Sequence, residues 1–204
     1  TVDCHPILDV IGPGTTEAIS IRAFGSEPKR VAALGRATLE GLAAGGVVGV
    51  LKHMPGHGRA KVDSHHLLPT VTATAAELED DLAPFRALAH APMGMTSHIV
   101  FEAWDAERPA TMSPTIINDV IRGKIGFDGL LMTDDIDMKA LSGTPADKAS
   151  GAIAAGCDIV LDCWARLDEM VAIADRLDDI AQPSRDRLVR AMATLRPAEG
   201  VFAD

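Results

Sequence analysis

Four histidines and a lysine crowd into one short stretch, Lys52-His53-Met54-Pro55-Gly56-His57-Gly58 followed by Asp63-Ser64-His65-His66. Packing alone does not account for so many imidazoles directly after an apolar run. An Asp two residues before a His can accept a hydrogen bond from one ring nitrogen, which fixes the tautomer and raises the basicity of the other. Asp63 and His65 stand in that relation, so the pattern suits proton transfer. Gly56, Gly58 and Pro55 describe a shaped loop, because Gly takes backbone conformations closed to other residues. Imidazole is also a common zinc ligand, but the spacing differs from His-Glu-x-x-His and an irregular loop fixes no ligand geometry. No metal site is expected. A second segment, Gly129-Leu130-Leu131-Met132-Thr133-Asp134-Asp135, brings a pair of carboxylates to the end of another apolar run. Alternation along a strand sends Asp134 and Asp135 in different directions. One then faces a ligand, while Asp135 or Asp137 is available to cap the helix that follows.

These groups need elements to hold them. Val47–Leu51 reads as a buried strand, rich in β-branched residues, and Met93–Thr96, Gly129–Met132 and Asp158–Leu161 read alike. Ile7–Val10 is a weaker fifth candidate. Helices fill the intervals. One is expected from Glu27 to Ala44, with Ser26 as N-cap, Pro28 in the first turn and Gly45 as the stop. Another starts at Thr74, where Thr74 and Glu77 form a capping box ahead of Leu78, Leu82, Phe85 and Ala89. A third opens at Ser113-Pro114, carries Ile116, Ile117, Val120 and Ile121, and stops near Gly126. Shorter helices are expected over 145–156, 166–180 and 184–195. Phe127 and Asp128 shape the turn between the third helix and its strand.

Strands alternating with helices imply a parallel sheet covered by helices. No dinucleotide fingerprint or phosphate loop follows any strand. The polar clusters fall just after strand ends, which in a TIM-type (β/α)8 barrel is the catalytic face. The expected fold is therefore α/β of that barrel type, as one domain over 1–204. Only about five strands can be counted where a closed barrel needs eight, so the barrel is expected to be incomplete.

Composition bounds the partners. The chain has 204 residues, 47% of them apolar and 24% charged, as in ordinary globular proteins. A net charge of −10 argues against a nucleic-acid binder. The densest acidic group, Glu77, Glu79, Asp80 and Asp81, reads as a solvated helix face. No apolar run is long enough for a membrane span. Three cysteines, Cys4, Cys157 and Cys163, fit reduced thiols better than a disulfide framework. Thr1–His5 lacks the features of a signal peptide. These readings favour a cytoplasmic protein acting on a small molecule, without nucleic acid or membrane, as a monomer or weak oligomer.

Taken together, Lys-His-x-Pro-Gly-His-Gly at 52–58, Asp-Ser-His at 63–65 and Thr-Asp-Asp-x-x-Met at 133–138 resemble glycoside hydrolase family 3. More narrowly, they are similar to its bacterial β-N-acetylhexosaminidases, which recycle peptidoglycan. The likeness runs from about Val2 to Val160 and includes Pro6–Val10, Arg22-Ala23-Phe24-Gly25, Ser97-His98 and Pro109–Ser113.

The resemblance implies a role for each matching residue. Asp134 corresponds to the nucleophile, which attacks the anomeric carbon to give a covalent glycosyl-enzyme and retention of configuration. His65 corresponds to the acid/base on a mobile loop, assisted by Asp63. Arg22, Lys52 and His53 match sugar-binding positions for a terminal N-acetylglucosamine, and His57 positions the loop or touches substrate. His98 supports the site or contacts sugar, and Met138 lies in the motif or in the core. Neither a metal nor an organic cofactor is implied, and the implied substrates are N-acetylglucosamine-containing muropeptides. Because a neutral His does not repel an anionic acceptor as a carboxylate would, a phosphorylase on the same scaffold is an alternative. The family pattern also has an upstream Asp and Arg that clasp the sugar, for which this sequence offers no match. It begins where the fourth barrel strand would stand, so strands four to eight are expected. A truncated, non-catalytic fragment is a further alternative, and a metal-dependent hydrolase built on the histidine loop another.

Overall fold

A computed structural model describes residues 1–197, so 198–204 of the expected domain lie outside the described residues. The chain opens with β1 (Val2–Asp3), α1 (Glu17–Ser20), α2 (Pro28–Ala44) and β2 (Val48–Met54). Then come β3 (Thr70–Val71), α3 (Glu79–Ala87), β4 (Met93–Thr96), β5 (Val100–Phe101) and β6 (Asp105–Pro109). A 3₁₀ turn (Ala110–Met112) and a π-helix (Ile116–Ile125) lead into β7 (Leu130–Asp135) and α4 (Pro145–Ala155). The described residues end with β8 (Ile159–Leu161), α5 (Leu167–Arg176) and α6 (Gln182–Met192).

Five strands form one parallel sheet in the order β1-β2-β4-β7-β8, so each strand lies beside the one that precedes it in this set. The sheet curls as half of a barrel, the expected fold class. Alternation sorts its residues. Val48 and Val50, Met93 and Met95, and Leu130 and Met132 form one apolar cluster on the inner face, closed by Leu188, Ala191 and Met192 of α6. Leu51 and Leu131 point outward onto Leu82 and Phe85 of α3 and onto Ile117, Val120 and Ile121 of the π-helix. Each such buried side chain is worth about 1.5–3 kcal/mol relative to exposure.

Several local expectations are corrected. The first strand is Val2–Asp3 rather than Ile7–Val10; Ile7 makes only a single bridge to Lys52. Pro6 has no N–H to donate, so the ladder cannot run on unbroken. Glu27, not Ser26, is the N-cap of α2, with Pro28 preset at the first helical position. The Thr74–Glu77 capping box closes, with Thr74 N–H 2.8 Å from Glu77 Oε2, but regular helix begins only at Glu79. The helix expected from Ser113 winds with π geometry and ends at Gly126, whose φ of 78° needs glycine. Asp81 is buried against Arg59 rather than solvated, and its burial outweighs the guanidinium and raises its pKa. A small sheet, β3-β5-β6, adds to the expected elements: β3 and β5 have two residues each, too few to show alternation, and β6 (Asp-Ala-Glu-Arg-Pro) carries almost no apolar residues.

Candidate active site

β7 carries its alternation past the apolar core. Leu130, Met132 and Asp134 are two apart and share a face, so the third stands above the inner cluster at the C-terminal end of the strand. There Asp134 lines a cavity of about 480 Å³. Its Oδ1 accepts the Asp135 N–H at 2.9 Å, and its Oδ2 lies 3.9 Å from His53 Nε2. Asp135 serves structure instead: its Oδ1 accepts the N–H groups of Asp137 (3.1 Å) and Cys163 (3.2 Å), tying β7 to the turn after β8.

The end of β2 supplies Lys52 and His53, with cis peptide bonds at Lys52-His53 and Met54-Pro55. His53 is oriented from behind. Its Nδ1 donates to Asp9 Oδ2 at 2.7 Å, leaving Nε2 toward Asp134. Asp9 is fully buried and also accepts the backbone N–H groups of His53 (3.2 Å) and His57 (2.6 Å). Burial opposes that charge, but the attraction and hydrogen bonds of His53 and His57 prevail and hold the carboxyl below its ordinary value. The sequence placed Asp9 only in a marginal strand. An acidic residue inside the apolar run Ile7-Leu8-Asp9-Val10 was the available signal.

His57 lies under the loop that follows. Burial, followed by the neighbouring His53, pushes its pKa down to about 4, against the pull of Asp9. It is therefore neutral at pH 7. Its Nε2 is 3.2 Å from Ser64 Oγ, and Ser64, itself buried, reaches Met138 Sδ at 3.9 Å. The Ala140 N–H also donates to the Ser64 carbonyl. Ser64 is thus a peg that seats its two neighbours. Asp63 Oδ1 accepts from His65 Nδ1 at 2.7 Å and from the His65 N–H at 2.9 Å. Burial raises the Asp63 pKa, but these bonds outweigh it and the net shift is downward. The His65 side chain remains 53% exposed, with Nε2 free.

Arg22 reaches the cavity from the turn after α1, where its Nε donates to the Ala18 carbonyl at 2.7 Å. The structure brings Arg22, Lys52, His53, His57, Asp63, His65 and Asp134 to the walls of this single cavity. Met138 joins them. His98 does not: it is fully buried, with Nδ1 2.7 Å from Thr111 Oγ1 and Nε2 donating to the Asp135 carbonyl at 2.9 Å. It supports β7. Lys148, unremarked in the sequence, is buried and donates to the carbonyls of Ile136 (2.8 Å) and Met138 (3.4 Å), bracing the turn after Asp134. A larger cavity of about 580 Å³ lies behind Gly58–Lys61, and none of the candidate site residues line it.

The three cysteines are free thiols, and burial followed by the charges of Asp135 and Asp134 pushes Cys163 up to about 11. Among the described residues, no three His, Cys, Asp or Glu side chains are grouped to hold a metal ion. A strand-end carboxylate and a half-exposed imidazole lining one cavity, together with cationic and further imidazole groups, suit nucleophilic attack coupled to proton transfer.

Residues 1–195 match the family described as "Glycosyl hydrolase family 3 N terminal domain". The chain is 43% identical over 196 residues to a β-hexosaminidase of Chromobacterium violaceum, covering 88% of this chain and 54% of that protein. It is 38% identical to a β-hexosaminidase of Bordetella avium, covering 92% and 54%. Among solved structures it is similar to NagZ from Neisseria gonorrhoeae in complex with N-trifluoroacetyl-D-glucosamine. That match has TM-score 0.82 and 35% identity, over 94% of this chain and 55% of that one. It is also similar to a family 3 β-N-acetylglucosaminidase from Paenibacillus sp. str. FPU-7, with TM-score 0.84 and 31% identity, over 95% and 39%. The chain thus spans about half the length of the β-hexosaminidases it matches. With the sequence match running through β1 to α6 and the same fold in solved members, this chain belongs to glycoside hydrolase family 3, within its N-terminal domain.

Proposed function

We propose that the chain is the catalytic barrel portion, as one domain over 1–204, of a retaining β-N-acetylglucosaminidase. The carrying observation is that Asp134 and the Asp63–His65 pair line one cavity, with His65 Nε2 unengaged. Asp134 attacks the anomeric carbon while His65 gives its Nε2 proton to the leaving oxygen. The covalent glycosyl-enzyme is then opened by a water that returns its proton to His65. Asp63 holds the imidazole in the orientation and tautomer both steps require. Arg22, Lys52, His53 and His57 surround the transferred sugar, and His53 Nε2 also steadies Asp134. The names of the relatives, and the glucosamine derivative bound by the Neisseria protein, support N-acetylglucosamine as that sugar. We take N-acetylglucosamine-containing muropeptides as the natural substrates and the cytoplasm as the compartment. Among the described residues no helix is long and apolar enough to cross a membrane.

The test is turnover of aryl β-N-acetylglucosaminides. Asp134→Asn is expected to lose activity by at least about a thousandfold, since the covalent route is removed. Turnover retained in that variant would overturn the assignment. His65→Ala is expected to lose about a hundredfold or more with poor leaving groups, and far less with good ones that need no proton. Equal losses across leaving groups would remove His65 from the acid role.

A further inference from the structure

The turn after β8 presents Trp164 to the same cavity as Asp134, with the residue 65% exposed. The chain's other tryptophan, Trp104, packs on Phe101 with ring centroids 5.4 Å apart. An indole open to the cavity offers it an apolar face.

Its setting is built rather than loose. The Trp164 N–H donates to Asp162 Oδ1 at 3.2 Å, and the preceding Cys163 N–H is held by Asp135. The following residue, Ala165, has φ of 50°, in the left-handed region that an alanine rarely occupies. The Arg166 guanidinium stands 5.9 Å from the centre of the indole ring. Asp137 Oδ1 (2.9 Å) and Glu169 Oε2 (2.6 Å) fix that guanidinium in turn. One side of the ring is therefore backed by a pinned cation, which is attracted to the aromatic face. The position matters as well. The turn at Asp137-Met138 is contacted both by Ser64, in the His65 loop, and by Arg166, beside Trp164. His65 and Trp164 are thus tied to one turn, on the walls of one cavity.

We propose that Trp164 is a stacking platform for the leaving-group sugar, making this side of the cavity a subsite for a second, equatorially substituted N-acetylhexosamine ring. Such a pyranose offers a flat array of C–H groups to an aromatic face while its hydroxyls stay in water. Pre-fixing the indole reduces the ordering that binding requires. The proposal rests on the glycosidase reading above.

The test compares di-N-acetylchitobiose, whose leaving group is a sugar, with N-acetyl-β-D-glucosaminyl fluoride, whose leaving group is one atom. Trp164→Ala is expected to lower kcat/KM for the disaccharide about tenfold, mainly through KM, and to affect the fluoride roughly fivefold less. Trp164→Phe should recover most of the loss. Equal losses on the two substrates, or none on the disaccharide, would overturn the platform. A second readout is independent of turnover. In Asp134→Asn combined with Trp104→Phe, Trp164 is the only tryptophan, and its emission should change on adding di-N-acetylchitobiose. The same signal is the change seen with Asp134→Asn alone and missing when Trp164→Ala is added. An unresponsive emission overturns the platform whatever the turnover. A responsive emission in a protein that cleaves no β-N-acetylglucosaminide supports the platform and sinks the glycosidase reading instead.

Discussion

Asp9 shows how one buried carboxylate organises a site it never faces. It has no solvent, so its charge is sustained by three hydrogen bonds, two from the backbone and one from the His53 ring. Those bonds aim His53 at Asp134 and fix the start of the histidine loop. His57 beside it is held neutral, with a folded pKa of about 4 against an ordinary 6.5. Between those values the unfolded chain takes up a proton that the fold refuses. Its contribution to stability is full above pH 6.5 and falls as pH drops toward 4, by about 1.4 kcal/mol per pH unit within the window. Asp9 and Asp63, both held below the ordinary carboxylate value, add their own loss at still lower pH. Urea unfolding at pH 7, 5.5 and 4.5 should show the decline, and His57→Gln should flatten its upper part. An unchanged slope in the variant would count against the assignment.

At the scale of elements, Lys52, His53 and Asp134 stand at strand ends, whereas Asp63 and His65 stand on a loop that close packing must hold. A Cβ placed on Gly58 would lie 1.8 Å from the Val10 carbonyl oxygen, which is backbone and cannot swing away. Gly58→Ala is therefore expected to destabilise by about 2 kcal/mol or more, displacing the segment that leads to Asp63 and His65. Gly41, exposed within α2, has nothing within 4 Å of the same added atom. Gly41→Ala should stabilise the helix by about 0.5–1 kcal/mol. Thermal unfolding of the two variants reads both signs, and destabilisation by both, or by neither, contradicts this account.

Over the whole molecule, the two ends of the sheet have separate duties. The C-terminal ends of the strands carry the reactive groups. The opposite end is tied by Asp158, which accepts from Arg122 (2.8 Å), Arg187 (3.0 Å), Ser184 (2.6 Å) and the Leu131 N–H (2.8 Å). This network seats α6 beneath the inner apolar face. Asp158→Asn would leave Arg122 and Arg187 facing each other without their shared counter-charge, costing about 3 kcal/mol. In a chain of this size that lowers the melting temperature by roughly 6–12 °C. Turnover measured well below the transition should be retained, because no group in the cavity is touched. A proportional loss of activity at low temperature would show that the two ends are coupled.

The central strands were legible because each is a short apolar run bounded by breakers, and α4 to α6 because their periodicity is local. The Lys52–Gly58 and Asp63–His65 segments were legible because reactive side chains at fixed spacing are a property of the chain itself. Alternation alone separated Asp134 from Asp135, and it left open which one is tied down. The fold decided that: both border the cavity, but Asp135 Oδ1 is engaged by the Asp137 and Cys163 N–H groups, while Asp134 follows Leu130 and Met132 on the inner face. Asp9 and Ser64 were not legible as supports in the sequence, since their partners His53 and Met138 lie 44 and 74 residues away, and the places of Lys148 and Trp164 depend on how the turns after β7 and β8 fold. The sequence determined which groups have the chemistry the proposed reaction asks for. Only the tertiary structure decided that they meet, because the contacts that aim and pin them join strands far apart in the chain.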